Sequence, residues 1–91
     1  MEKDLSVRTK KCALRVIRLF SALPRRREAQ VIGNQLLRSG TSIGANYREA
    51  HHARSRAEFA AKIGCCLQEA DETAYWIELL IEAEIVKASR L

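Results

Sequence analysis

The chain has 91 residues, of which 47% are hydrophobic but only 5% aromatic, with one proline, four glycines and a net charge of +5. A chain this short buries only about 60–65% of its unfolded surface, so a single domain is all it can form, and further copies are a natural source of extra burial. The longest apolar run, Tyr75 to Ile81, holds a glutamate and falls well short of the roughly 20 residues of a membrane span; with no charged-then-apolar leader either, the sequence excludes an integral membrane protein and predicts a soluble, cytoplasmic one with no membrane partner.

Cys12 and the adjacent pair Cys65 and Cys66 form neither an even disulfide framework nor a C-x-x-C metal pattern, so they read as small, reduced hydrophobes. Ala, Leu, Glu, Arg and Gln abound while strand formers are scattered, which predicts an all-α protein. Charge is polarised along the chain. Residues 1–56 carry 13 Lys and Arg against 4 Asp and Glu, a balance of +9, and residues 57–91 carry 3 against 7, or −4, the two summing to +5. The basic half suits an anionic partner such as nucleic acid. Antiparallel helices or neighbouring subunits that neutralise one another give the same pattern.

A first helix is predicted over about residues 5–23, where Leu5, Cys12, Val16, Leu19, Phe20 and Leu23 recur at helical spacing and Ala13 and Ile17 widen the stripe. Asp4 or Ser6 is a candidate cap, and Pro24 ends the helix because proline disfavours helical geometry in the residue before it. A second helix is predicted over 26–50. Val31, Ile32, Gln35, Leu36, Ser39, Ile43, Asn46 and Ala50 keep phase through the stretch 39–50, which therefore reads as continuing helix rather than a loop. Gly40 and Gly44 each cost about 1 kcal/mol relative to alanine. Close packing is the expected compensation, since two absent side chains on one face let another backbone come nearer than the usual separation of about 8–10 Å.

Ser55-Arg56-Ala57-Glu58 ahead of Phe59 is a capping box, in which Ser55 accepts a backbone N–H and Glu58 reaches back to the serine's own amide. From there residues 59, 63, 66, 70, 74, 77, 81 and 85 form an unbroken apolar stripe, predicting one helix over 55–86, a rod of roughly 45 Å. Trp76, Leu79 and Leu80 add a second apolar flank that calls for more than one neighbour, and Ser89 is placed to cap a further segment. The expected architecture is an all-α helical bundle forming one domain over residues 1–91, with three long helices and a fourth truncated or replaced by another subunit, in a homo-oligomer.

Glu49 and His52 have the Glu-x-x-His spacing of di-metal helix bundles, but only one copy exists and Glu69 and Glu72 are merely candidate partners, so neither a metal site nor a cofactor is expected. There is no Gly-x-Ser-x-Gly, phosphate loop or Ser/His/Asp signature, and a buried thiol without an electropositive pocket is inert; the expectation is a protein without catalytic residues. Arg25, Arg26 and Arg27 stand at a helix start, where positive charge opposes the macrodipole. Arg48, His52, Arg54 and Arg56 gather at the junction of the second and third helices, with Arg38 about 80° from Arg48 around the same helix. These are the candidate nucleic-acid-binding residues, suited to sequence-independent, salt-sensitive contact with phosphates; solvated charge that keeps the protein soluble is the competing reading. Tyr47 is the only aromatic nearby, so stacking on bases is not expected.

The runs SIGANYREA and ARSRAEF resemble a family of small bacterial four-helix-bundle proteins known from intervening sequences inside large-subunit ribosomal RNA genes, related to the accessory protein of diversity-generating retroelements. In that family a Ser-Ile-Pro-x-Asn-x-x-Glu-Gly run precedes Ser-Arg-x-Glu-Phe; Ser42, Ile43, Asn46 and Glu49, then Ser55, Arg56, Glu58 and Phe59, match it here. Gly44 stands in place of the family's proline and Ala50 in place of its glycine, so a softer kink is expected in the second helix. The resemblance implies an up-down bundle assembled into a homopentamer, with a basic surface for RNA, DNA or a nucleic-acid enzyme. It also implies a structural role for the packing motif Gly40, Ser42, Ile43, Gly44, Asn46 and Glu49, in which Ser42 and Asn46 hydrogen-bond across a tight helix contact.

Overall fold

A computed structural model describes residues 2–90, with side chains from Asp4 to Ser89. The proline-free runs of Lys, Arg, Leu, Ala and Glu wind into three helices, α1 (Glu2–Ala22), α2 (Arg27–Ala50) and α3 (Arg56–Glu82), followed by a 3₁₀ turn over Ala88–Arg90. Among the described residues there is no strand, and the helices stack as an up-down, all-α bundle measuring 44 × 20 × 17 Å. No helix among them is long and apolar enough to cross a membrane. Ser89, expected to cap a further segment, lies inside the 3₁₀ turn.

The first corner is fastened by one side chain. Pro24 carries no N–H to extend α1, and its carbonyl accepts a hydrogen bond from Gln30 Nε2 at 3.0 Å, one turn into α2. Arg26 occupies the N-cap position of α2 with extended geometry and no side-chain cap of its own.

The middle helix carries the fold, because α1 and α3 pack principally on α2. Its two faces differ. Toward α1 it shows glycines: a Cβ built on Gly40 would lie 2.7 Å from Val16 Cγ2, and one on Gly44 3.2 Å from Thr9 Oγ1. Gly33, outside the predicted motif, meets the end of α1 in the same way, 3.1 Å from Phe20 Cδ1 and 2.5 Å from Cδ1 of Leu23 just past the helix. Gly33, Gly40 and Gly44 thus form one stripe down which α1 lies, and the close packing recovers the propensity lost at each glycine. Toward α3 the helix presents Leu36 and Ser39, both fully buried. Val16, Leu23, Leu36 and Leu80 form the core, with Leu19, Phe20, Ile32, Trp76 and Ile77 around it. Full burial of Leu36 or Leu80 contributes about 1.5–3 kcal/mol apiece.

The line of α3 that faces α2 differs from the predicted stripe. Thr73 and Leu80 are the buried positions, flanked by partly covered Cys66, Glu69 and Trp76, whereas Ala70 and Ala74 of the predicted stripe are exposed. Polar partners on α2 explain the change. Thr73 donates to Ser39 Oγ at 2.9 Å, with the Glu69 carbonyl 2.7 Å from the same hydroxyl and competing for its single proton. Trp76 Nε1 is buried with no hydrogen-bond partner.

The rod expected over 55–86 stops at Glu82. Glu84 takes a left-handed conformation, φ 59°, at a cost of about 1–2 kcal/mol for a non-glycine residue. The amides of Ile85 and Val86 then turn back to the Leu80 carbonyl at 2.9 and 3.2 Å. The reversal lays Ile85 and Val86 against the core beside Leu19, Ala22 and Pro24, which offsets the strain. Between α1 and α3 runs a groove of about 410 Å³ lined by Cys12, Val16, Leu19 and Ile77 together with Arg8, Lys11 and Arg15.

Candidate nucleic-acid interface

The α2–α3 corner gathers cations by local hydrogen bonding. The amides of His51, His52 and Ala53 donate to the carbonyls of Arg48, Glu49 and Ala50 at 3.2, 3.0 and 3.2 Å, carrying the chain one turn past α2. Tyr47 is buried, and its ring meets that of His51 in a T-shaped arrangement at a centroid separation of 4.6 Å. Ser55 Oγ accepts from the Glu58 amide at 3.1 Å, but the reciprocal half of the predicted box is altered: the Glu58 carboxylate takes the Arg54 amide at 3.1 Å rather than that of Ser55. The carboxylate therefore reaches one residue further back. This short, pinned linker leaves Arg48, His52, Arg54 and Arg56 exposed. Among the described residues none of them lies within ion-pair distance of a carboxylate. Lys10 joins the same end, since it and Arg48 line one groove between α1 and α2. Only the antiparallel packing of α1 brings Lys10 there, so no local sequence signal marks it.

The other predicted cations lie elsewhere. Arg25, Arg26 and Arg27 are exposed at the opposite corner, with Arg26 3.8 Å from Glu28. From Arg27 to Arg48 along α2 is about 32 Å at 1.5 Å per residue. Arg38, expected to contact phosphate, instead binds Glu72 at 2.7 Å and Glu69 at 3.3 Å across the α2–α3 contact. Its one positive charge already faces two negative ones.

The packing motif divides as well. Gly40 and Gly44 touch α1, but Ser42 and Asn46 do not bridge helices: Ser42 Oγ donates to the Arg38 carbonyl at 2.7 Å and Asn46 Nδ2 to the Ser42 carbonyl at 3.0 Å, both inside α2. Hydroxyls and amides four residues past a carbonyl reach it readily, and here that local bond wins. The inter-helix hydroxyl contact is made by Ser39 instead. Ile43 offers its carbonyl to Cys66 Sγ at 3.5 Å, and Glu49 pairs with Lys62 of α3 at 2.5 Å.

That pairing bears on the metal candidates. Glu49 is committed to Lys62, whose amine it holds above the ordinary 10.5, first by the hydrogen bond and then by charge. Glu69 and Glu72 are committed to Arg38, and among the described residues no three His, Cys, Asp or Glu side chains converge. Burial, followed by the charge of Cys65, pushes the Cys66 thiol up, away from the thiolate that nucleophilic chemistry uses.

Three helices layered on a glycine-faced spine, with basic corners, define a small helical-bundle protein. Its family model is that of the 23S rRNA-intervening sequence protein, matched over residues 3–91, and the chain belongs to that family. Among solved structures, it is similar to a protein of unknown function from the S23 ribosomal protein family of Bacteroides thetaiotaomicron, at 42% identity and a TM-score of 0.90, covering 99% of this chain and 81% of that one. Among functionally curated proteins no relative matches.

Proposed function

We propose that this protein is a non-enzymatic, oligomeric helical scaffold that works in the cytoplasm and binds the phosphate backbone of RNA or DNA, chiefly through its α2–α3 corner. The observation that carries the reading is the set Arg48, His52, Arg54 and Arg56, exposed and, among the described residues, unpaired with carboxylates. An exposed arginine without a carboxylate is ready to displace counterions from phosphate, and several together give affinity without sequence preference. Arg25, Arg26 and Arg27 supply a second foothold, at a distance close to the roughly 34–36 Å of one duplex turn. A homopentamer, as the family resemblance implies, repeats these contacts around a ring and raises avidity. A nucleic-acid enzyme held on the same RNA or DNA is the protein partner consistent with this role.

Fluorescence anisotropy with a labelled RNA hairpin tests the assignment. Replacing Arg48, Arg54 and Arg56 together by alanine is expected to weaken binding by about tenfold or more, and the triple change at Arg25, Arg26 and Arg27 by less. Arg38→Ala is expected to leave affinity unchanged while lowering stability. Equal losses at all three places would show that net charge, rather than a defined interface, governs the binding.

A further inference from the structure

The outward sides of α1 and α3 carry large apolar side chains that α2 does not cover. On α1, Val7, Leu14 and Ile17 keep 49%, 40% and 42% of their surface exposed. Val16 marks the side of α1 that meets α2, and Leu14 stands about 160° around the helix from it. Lys10 and Arg18, both exposed, lie one turn before and one turn after Leu14, so this apolar stripe is bordered by cations. On α3, Leu67 and Tyr75 are 68% and 53% exposed. Asp71, Glu78 and Glu82 share their side of the helix and are exposed too. Thr73 and Leu80 face α2, and Asp71 and Glu78 each stand about 160° from one of them. The two faces have the same build and opposite charge: large apolar side chains interleaved with Lys and Arg on α1 and with Asp and Glu on α3. Among the described residues none of these five charged groups has an ion-pair partner within its own chain.

We propose that the outer face of α1 in one copy docks on the outer face of α3 in the next copy, a contact that rests on the oligomeric part of the proposed function and gives it a specific geometry. Leu14, Val7 and Ile17 seat against Leu67 and Tyr75, while Lys10 and Arg18 face Asp71, Glu78 and Glu82. Desolvating the apolar stripe supplies the attraction, and the charges set register and exclude a face pairing with itself. The contact is heterologous. Every copy has one face of each kind, so association passes from copy to copy and closes a ring when the rotation permits.

The test is the mass in solution, by light scattering and sedimentation equilibrium, of the wild type and two charge-reversed proteins. One carries Lys10→Glu with Arg18→Glu; the other carries Asp71→Lys with Glu78→Lys. The wild type is expected to be a multimer, and each variant alone a monomer of unchanged helicity. An equimolar mixture of the two is expected to associate again, because every α1–α3 contact between unlike variants again joins opposite charges. Should a charge-reversed protein lose helicity, Leu14→Gln and Leu67→Gln leave the charges in place and are expected to lower the mass in the same way. A wild-type multimer whose mass survives all four changes overturns this contact and leaves the scaffold standing. A monomeric wild type overturns both the contact and the oligomeric reading, while RNA affinity at the α2–α3 corner is judged separately by anisotropy.

Discussion

Gly40→Ala probes the contact on which α1 rests. The new methyl would sit 2.7 Å from Val16 Cγ2 and 2.9 Å from Cγ1, where carbon atoms prefer about 3.5–4.0 Å. Val16 is only 5% exposed, and its branched side chain is held in one dominant rotamer within a helix, so it cannot swing aside. The helices must therefore part by about 1 Å, an overpacking cost of about 1–3 kcal/mol set against the roughly 1 kcal/mol that alanine gains in helix propensity. A net loss of up to about 2 kcal/mol is expected, equivalent to a melting temperature lower by up to about 15 °C in a domain of this size. Gly64 is the control. Nothing lies within 4 Å of a Cβ built there, so Gly64→Ala is expected to stabilise by about 0.5–1 kcal/mol. Urea titrations followed by circular dichroism measure both, at one fixed protein concentration because association raises apparent stability. Adding Val16→Ala to Gly40→Ala should recover part of the loss through non-additivity. If Gly40→Ala stabilises as much as Gly64→Ala, the glycine stripe is not a packing surface and the reasoning fails.

Other consequences follow from the same contacts. Leu80→Ala removes a fully buried core side chain and is expected to cost about 2–5 kcal/mol in the same titration. Ser39→Ala alone is expected to cost about 1 kcal/mol, and adding Thr73→Val little more, since the pair then leaves no unmatched hydroxyl. Ser55→Ala removes the acceptor for the Glu58 amide and is expected to cost about 0.5–2 kcal/mol. The Lys62 amine is raised in the folded state, so its stabilising effect is complete below the unfolded value of 10.5 and fades as pH climbs through the folded one; Lys62→Met should flatten that alkaline limb of a pH–stability profile. Cys66 is expected to react with a thiol reagent more slowly in the native protein than in urea, as its burial requires; equal rates would contradict the placement of its sulfur.

Local chemistry carried much of the architecture into the sequence. Pro24 stops α1 by what it lacks, and Ser55 starts α3 by what its hydroxyl accepts; both act within a turn of chain. Gly40 and Gly44 announced a close approach because nothing else justifies their cost in a helix. The end of α3 left no such mark. Ile81 and Ile85 keep helical phase across Glu84, and a glutamate in the left-handed region gives none of the warning that a glycine would. Choosing the buried line of α3 required knowing its partners: Glu69 and Thr73 look like surface residues until Arg38 and Ser39 of α2 are set opposite them. The basic interface was half legible for the same reason. Its corner arginines are neighbours in sequence, but the pairing of Arg38 with α3 is a product of packing.

The salt dependence of RNA affinity tests the central claim most directly. Anisotropy titrations of the wild type and of the Arg48, Arg54 and Arg56 triple alanine variant, across a range of potassium chloride, give the slope of log K against log salt. The wild type is predicted to show a steep negative slope, shallower in the variant by about 0.7–0.9 for each phosphate contact removed. A wild-type slope near zero, or one left unchanged by the triple substitution, would contradict a phosphate-binding α2–α3 corner.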